Sequence, residues 1–117
     1  MKKRLSRALG LALLITTMSL AGCASNPLVT GTEAQNLVKA GAILVDVRSV
    51  EEFAGGHIEG ALNIPIDDLE ARQGELPKDK DIVLYCRSGG RSTKGKALLV
   101  AAGYTKVHNL GGMSNWK

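Results

Sequence analysis

The chain has 117 residues with 15 Lys/Arg against 11 Asp/Glu, a net charge of +4. The excess is local, because Lys2, Lys3, Arg4 and Arg7 all lie at the extreme N-terminus and the remaining cations match the acids one for one. With only 3% aromatic residues there is no basic stripe with interleaved aromatics, which excludes a nucleic-acid partner. From Cys23 to Lys117 there is enough chain for one compact domain and too little for two, and neither internal repeats nor low-complexity stretches occur.

The N-terminus has the three parts of a secretory signal: the cationic start, an apolar core over residues 8–20 interrupted by Thr16, Thr17 and Ser19, and then small residues. That core is too short to span a bilayer comfortably. It closes on Leu20-Ala21-Gly22-Cys23, which resembles the lipobox of bacterial lipoproteins. The resemblance implies a signal peptide over residues 1–22, thioether lipidation of Cys23, and Cys23 as the acylated first residue of the mature protein. Ala24 stands where an aspartate signals inner-membrane retention in many Gram-negative bacteria. The expected location is therefore the bacterial cell envelope, lipid-anchored, at the outer membrane facing the periplasm in a Gram-negative host. Several acyl chains, at roughly 0.8 kcal/mol per buried CH₂, anchor stably without a transmembrane helix. Of the 2 cysteines, Cys86 is then the single free thiol. In an oxidising compartment such a thiol is either inert and buried or retained for its reactivity.

Residues 23–29 read as a lipidated tether containing Ser25, Asn26 and Pro27. Thr30-x-x-Glu33 matches a capping box and opens a helix with Ala34, Leu37 and Val38 on one face, stopped by Gly41. Residues 42–47 form a mostly apolar run suited to a strand buried on both faces. Ser49 caps a short helix through Glu51, Glu52 and Phe53. Residues 61–64 predict a short strand ended by Pro65. A helix over residues 67–73 follows, then a turn over 77–80 and a third strand over 82–85. A helix follows from residue 94 to 102, Gly103 punctuates, and residues 106–110 make a fourth strand. Gly111-Gly112 leads into a terminal turn around Trp116. Strands alternating with helices imply parallel β-α-β units and an α/β fold.

The stretch Cys86-Arg87-Ser88-Gly89-Gly90-Arg91-Ser92 sits between the third strand and its helix. Such a loop aims backbone N–H groups and the positive end of a helix dipole into its bowl. A thiol there ionises readily, and thiolate is the nucleophilic form. The alternative is a buried structural cysteine beside a glycine-rich turn.

Four stretches together resemble the single-domain rhodanese family of sulfurtransferases. They are Leu44-Val45-Asp46-Val47-Arg48-Ser49 with Glu52-Phe53, the run from Gly56-His57-Ile58 through Ile64-Pro65, the Cys86 loop, and Leu110-Gly111-Gly112 with Trp116. The resemblance implies a rhodanese-like domain over residues 30–117, with a central parallel sheet flanked by helices on both faces and the Cys86 loop at the carboxyl ends of the strands. It makes Cys86 the nucleophile and sulfur carrier, with Arg87, Ser88, Gly89, Gly90, Arg91 and Ser92 binding the substrate. The implied partners are a small anionic sulfur donor such as thiosulfate and a thiol, cyanide or protein acceptor, with no cofactor. The transfer is a two-step ping-pong through a Cys86 persulfide. Gly89 and Gly90 let the backbone curl. Ser92 either donates its hydroxyl to the sulfur or caps the helix. Arg91 is the better candidate for orienting the anionic donor, and Arg87 for drawing anions to the mouth.

The spacing C-x₄-R is one residue shorter than the C-x₅-R of the related cysteine phosphatases, and a tighter ring suits a single terminal sulfur rather than a tetrahedral phosphate. Asp46 and Arg48 read as a structural ion pair at the strand-to-helix turn, and His57 as a histidine supporting a turn. Two histidines and one free thiol without ligand spacing argue against a metal site. Lys94, Gly95 and Lys96 depart from the smaller or apolar residues usual in the family, and Gly95 weakens the helix by up to about 1 kcal/mol. The alternative to an enzyme is a rhodanese-like sulfur-relay or protein-binding module with little turnover of its own.

Overall fold

The computed structural model describes residues 27–117; the signal segment, Cys23 and most of the tether lie outside the described residues. Ten short elements follow in order: α1 (Gly31–Lys39), β1 (Ile43–Asp46), α2 (Val50–Ala54), β2 (Leu62–Asn63), α3 (Ile66–Arg72), a 3₁₀ turn (Gln73–Glu75), β3 (Ile82–Cys86), α4 (Gly90–Ala101), β4 (Val107–Gly112) and a last 3₁₀ turn (Met113–Trp116). The four strands form one parallel sheet in the order β2-β1-β3-β4.

The Thr30 capping box and the Ser49 cap are both present, and Ser49 forms a full box with Glu52. Thr30 Oγ1 accepts the Glu33 N–H at 3.1 Å at the start of α1. Ser49 Oγ accepts the Glu52 N–H, also at 3.1 Å, at the start of α2. Side chains alternate across the strands, as a pleated backbone requires. Val45, Ile82, Leu84 and Cys86 pack with α3 and α4 residues such as Leu69 and Leu99. Leu44, Val83, Tyr85 and Leu110 pack on the opposite face with Ala34, Leu37 and Trp116. Helices cover both faces, the α/β arrangement expected.

Two boundaries differ from the sequence reading by more than one residue. Helix α4 begins at Gly90 rather than at Lys94, so the second half of the Cys86 loop is the first turn of the helix. Strand β4 continues through Gly112, because a register shift beside Leu84 lets Gly111 and Gly112 pair with Tyr85 and Cys86. Val29 is already tied to the domain, donating its N–H to the Asn109 carbonyl at 2.9 Å.

Gly95 has a packing reason. A Cβ there would lie 3.2 Å from Leu84 Cδ1 and 3.3 Å from Leu69 Cδ2. Its absence lets α4 settle closely onto β3 and α3, which offsets the lower helix propensity.

Asp46 and Arg48 form the structural pair foreseen from their spacing. Asp46 is fully buried and Arg48 nearly so. The Arg48 Nη2 lies 2.8 Å from Asp46 Oδ2 and also donates to the Gly56 carbonyl at 2.6 Å. The Arg48 backbone N–H donates to Asp46 Oδ1 at 2.8 Å. This cluster fixes the chain reversal between β1 and α2. Asp46→Ala leaves a buried guanidinium without its counter-charge and should cost about 3–5 kcal/mol; urea unfolding measures the loss.

Candidate active site: a buried thiol in a ring of backbone amides

Strand β3 ends at Cys86 and α4 starts at Gly90, so three residues turn the chain. The turn needs Gly89, whose φ of +106° belongs to the left-handed region that side chains disfavour. Gly89 is also the N-cap of α4, and it has no side chain with which to cap. The Cys86 sulfur takes that place. The Gly89 N–H donates to Sγ at 3.0 Å and the Ser92 N–H at 3.4 Å. Unpaired amides at a helix start need an acceptor, and a sulfur that becomes an anion needs donors, so each satisfies the other.

Ser92 is fully buried at the third position of α4. Its hydroxyl lies 3.5 Å from Sγ and donates to the Gly89 carbonyl at 3.1 Å. Of its two foreseen roles, capping the helix is not the one adopted. A hydroxyl can rotate its hydrogen toward an ionised sulfur. Burial pushes the Cys86 thiol up, but the Ser92 hydroxyl and the N–H groups of Ser92, Gly89 and Ser88 together outweigh it, so its pKa lies below the ordinary value.

Arg91 is more committed than the sequence indicates. Its fork grips Glu52, Nη1 to Oε1 at 2.5 Å and Nη2 to Oε2 at 3.0 Å. The guanidinium ties the loop to α2, and its charge is met by a carboxylate. The Arg91 guanidinium, then the Ser49 N–H, hold Glu52 down at a pKa of about 2. Arg91 is raised in turn, chiefly by Glu52 and further by the charge of Cys86. Arg87 and Ser88 are exposed at the mouth, and Arg87 has no ion-pair partner among the described residues. Gly90, expected to help the backbone curl, has an ordinary φ, and a Cβ there would meet nothing within 4 Å. Its effect is to leave the rim open. His57 belongs to its turn: Nδ1 is 2.9 Å from the Phe53 carbonyl and the ring stacks on Phe53 at 3.6 Å. No group of three or more metal-ligating side chains exists among the described residues.

Three residues outside the foreseen set complete the site. Glu52 serves both as the capping-box carboxylate of α2 and as the Arg91 partner; the Ser49-x-x-Glu52 spacing signals the first role only. Gly112 runs so close beneath the loop that a Cβ would fall 2.8 Å from the Arg87 carbonyl. Buried Asn109 accepts the Gly111 N–H at 2.9 Å and donates to Thr93 Oγ1 at 3.0 Å, joining β4 to α4. Nothing in the local sequence marks it.

The sequence profile named Rhodanese-like domain matches residues 30–117. The chain belongs to the rhodanese-like family. Its relatives include a protein named "Sulfurtransferase" from Allochromatium vinosum, 47% identical over 75 residues that span 63% of this chain and 70% of the relative. The human thiosulfate:glutathione sulfurtransferase is 38% identical over 104 residues, spanning 76% of this chain and 90% of that one. Among solved structures, reduced Bacillus anthracis CoADR-RHD superposes with a TM-score of 0.69 at 38% identity. The match covers 76% of this chain and only 16% of that one, so the same rhodanese-like fold also occurs as a small part of a larger protein.

The Cys86 alkylation rate should show an inflection below the ~8.5 of a free thiol, and Ser92→Ala should move it upward; iodoacetamide kinetics against pH reads both. Glu52 has a folded pKa of about 2 against an ordinary 4.5. Its contribution to stability is full above the ordinary value and is lost as pH falls from there toward about 2. Unfolding followed across that window should be steeper in pH for the native protein than for Glu52→Gln.

Proposed function

We propose that this protein is a sulfurtransferase that moves sulfane sulfur from thiosulfate or a related anionic donor to a thiophilic acceptor through a Cys86 persulfide. The observation that carries the reading is the convergence of backbone N–H groups and the Ser92 hydroxyl on one buried thiol whose pKa is lowered despite its burial. In the first step the Cys86 thiolate attacks the outer sulfur of thiosulfate, a new S–S bond forms, and sulfite leaves with the electron pair of the broken one. The amide ring that holds the thiolate then holds the terminal sulfur of the persulfide, a charge-matched cradle at a helix N-terminus. In the second step an acceptor thiolate attacks that terminal sulfur, and Cys86 departs as thiolate.

Arg87, exposed and unpaired among the described residues, draws the anionic donor to the mouth, while Arg91 holds the cradle in shape through Glu52. The C-x₄-R ring favours one terminal sulfur over a phosphate. The family relationship and the names of the relatives support the sulfurtransferase class; the donor and the persulfide route are this reading's own. The resemblance of Leu20-Ala21-Gly22-Cys23 to a lipobox supports a location in the bacterial envelope, held to a membrane through Cys23, with the site on the non-cytoplasmic side.

Incubation with thiosulfate should add one sulfur atom to the intact mass of the protein, and Cys86→Ser should remain unmodified and transfer nothing to an added thiol or to cyanide while staying folded. Sulfur transfer by Cys86→Ser above about one per cent of the native rate overturns the assignment. Sulfur capture without multiple turnovers favours the relay module instead.

A further inference from the structure

Helix α1 ends just before β1 and packs back along the sheet, so it runs antiparallel to the strands. Its first turn therefore stands at the carboxyl end of the sheet, the end that carries Cys86. The contacts agree. Gly31 lies against the backbone of the C-terminal turn that follows β4, and a Cβ on Gly111 would lie 3.1 Å from Leu28 Cδ1. Gly111 is itself in contact with Gly89 of the loop: a Cβ built on Gly89 would lie 3.7 Å from its Cα. With Val29 pinned to Asn109, the chain enters the domain beside the bowl. Cys23 precedes Leu28 by five residues, a reach of at most roughly 18 Å at about 3.5 Å per residue.

Resting on the lipid-anchor reading above, we propose that the anchored domain presents its Cys86 end to the lipid surface, so that sulfur is exchanged with a donor or acceptor held at the membrane. The β4 margin of that end suits contact with headgroups. Leu28 is 50% exposed, and Arg87 stands exposed at the bowl, an apolar and a cationic group matched to an anionic interface. Val50, 60% exposed at the start of α2, borders the same end. Glu51, Asp67 and Asp68, at the starts of α2 and α3, lie toward the other margin and tilt it away from anionic headgroups. The opposite end, with Gly41 and the exposed Lys78-Asp79-Lys80 turn, faces water.

The chain's single tryptophan, Trp116, sits in the turn at the Cys86 end. Full-length lipidated protein is reconstituted into phosphatidylcholine–phosphatidylglycerol vesicles containing headgroup spin-labelled lipid. Trp116 fluorescence should be quenched about threefold more than that of the double variant Lys80→Trp, Trp116→Phe, whose indole marks the far end. If Trp116→Phe does not fold, Lys80→Trp alone gives the same comparison by difference. Equal quenching, or stronger quenching at the far end, overturns the orientation while leaving the anchor intact. Insertion of about twenty Gly/Ser residues between Asn26 and Pro27 should abolish the difference, because the reach then exceeds the domain's own size; a persisting difference overturns the tether as its cause. Labelling cells with a clickable fatty acid reads the anchor separately. Label on the native protein and none on Cys23→Ala supports it, and an unlabelled native protein removes the anchor and this proposal together.

Discussion

A sulfur sealed away from water resists becoming an anion, and a helix start without a capping side chain resists burial. Here the two demands cancel. The Gly89 and Ser92 amides, 3.0 and 3.4 Å from Cys86 Sγ, give the thiolate the donors that water would have supplied, and the sulfur gives α4 the acceptor that its glycine N-cap cannot. The stabilisation comes from preorganised dipoles rather than from a neighbouring free cation. In the proposed persulfide route such a ring can follow negative charge as it moves from the cysteine sulfur to the outer sulfur.

Much of the surrounding structure serves to hold that ring. Strand β4 slips register beside Leu84 so that Gly112 runs beneath Arg87, and Asn109 ties that strand to α4 through Thr93. The buried Asp46–Arg48 pair sets the turn into α2, and α2 carries Glu52 to Arg91. One carboxylate thus caps the start of α2, neutralises a loop cation and fixes the first turn of α4. In this arrangement Arg91 acts as a strut, and in the proposed function recognition of an anion falls to the exposed Arg87 and the amides.

The topology also relates the site to the chain's entry point. In a parallel sheet built from β-α-β units the helices run antiparallel to the strands, and α1, packed the same way ahead of β1, begins at the Cys86 end. Any restraint acting on the residues just before α1 acts close to Cys86. Leu28 against Gly111 and Val29 against Asn109 make that closeness a matter of direct contact.

Local sequence determined what depends on local physics. The capping box at Thr30, the cap at Ser49, the strands between their helices, the Cys86 loop and the Asp46–Arg48 pair were all legible, because each rests on residues within a few positions of one another. The start of α4 was not, since Gly90 is a weak helix signal in isolation and its turn becomes helical where the sulfur accepts the amides. Gly95 reads as a defect along the chain and proves to be a contact surface for Leu84 and Leu69. Arg91 reads as a free cation until α2 folds back and Glu52, 39 positions away, closes on it. The length of β4, the burial of Asn109 and the closeness of Gly112 to Arg87 were likewise decided only in three dimensions. Each is a pairing between segments far apart in the chain, and no local pattern encodes which partner arrives.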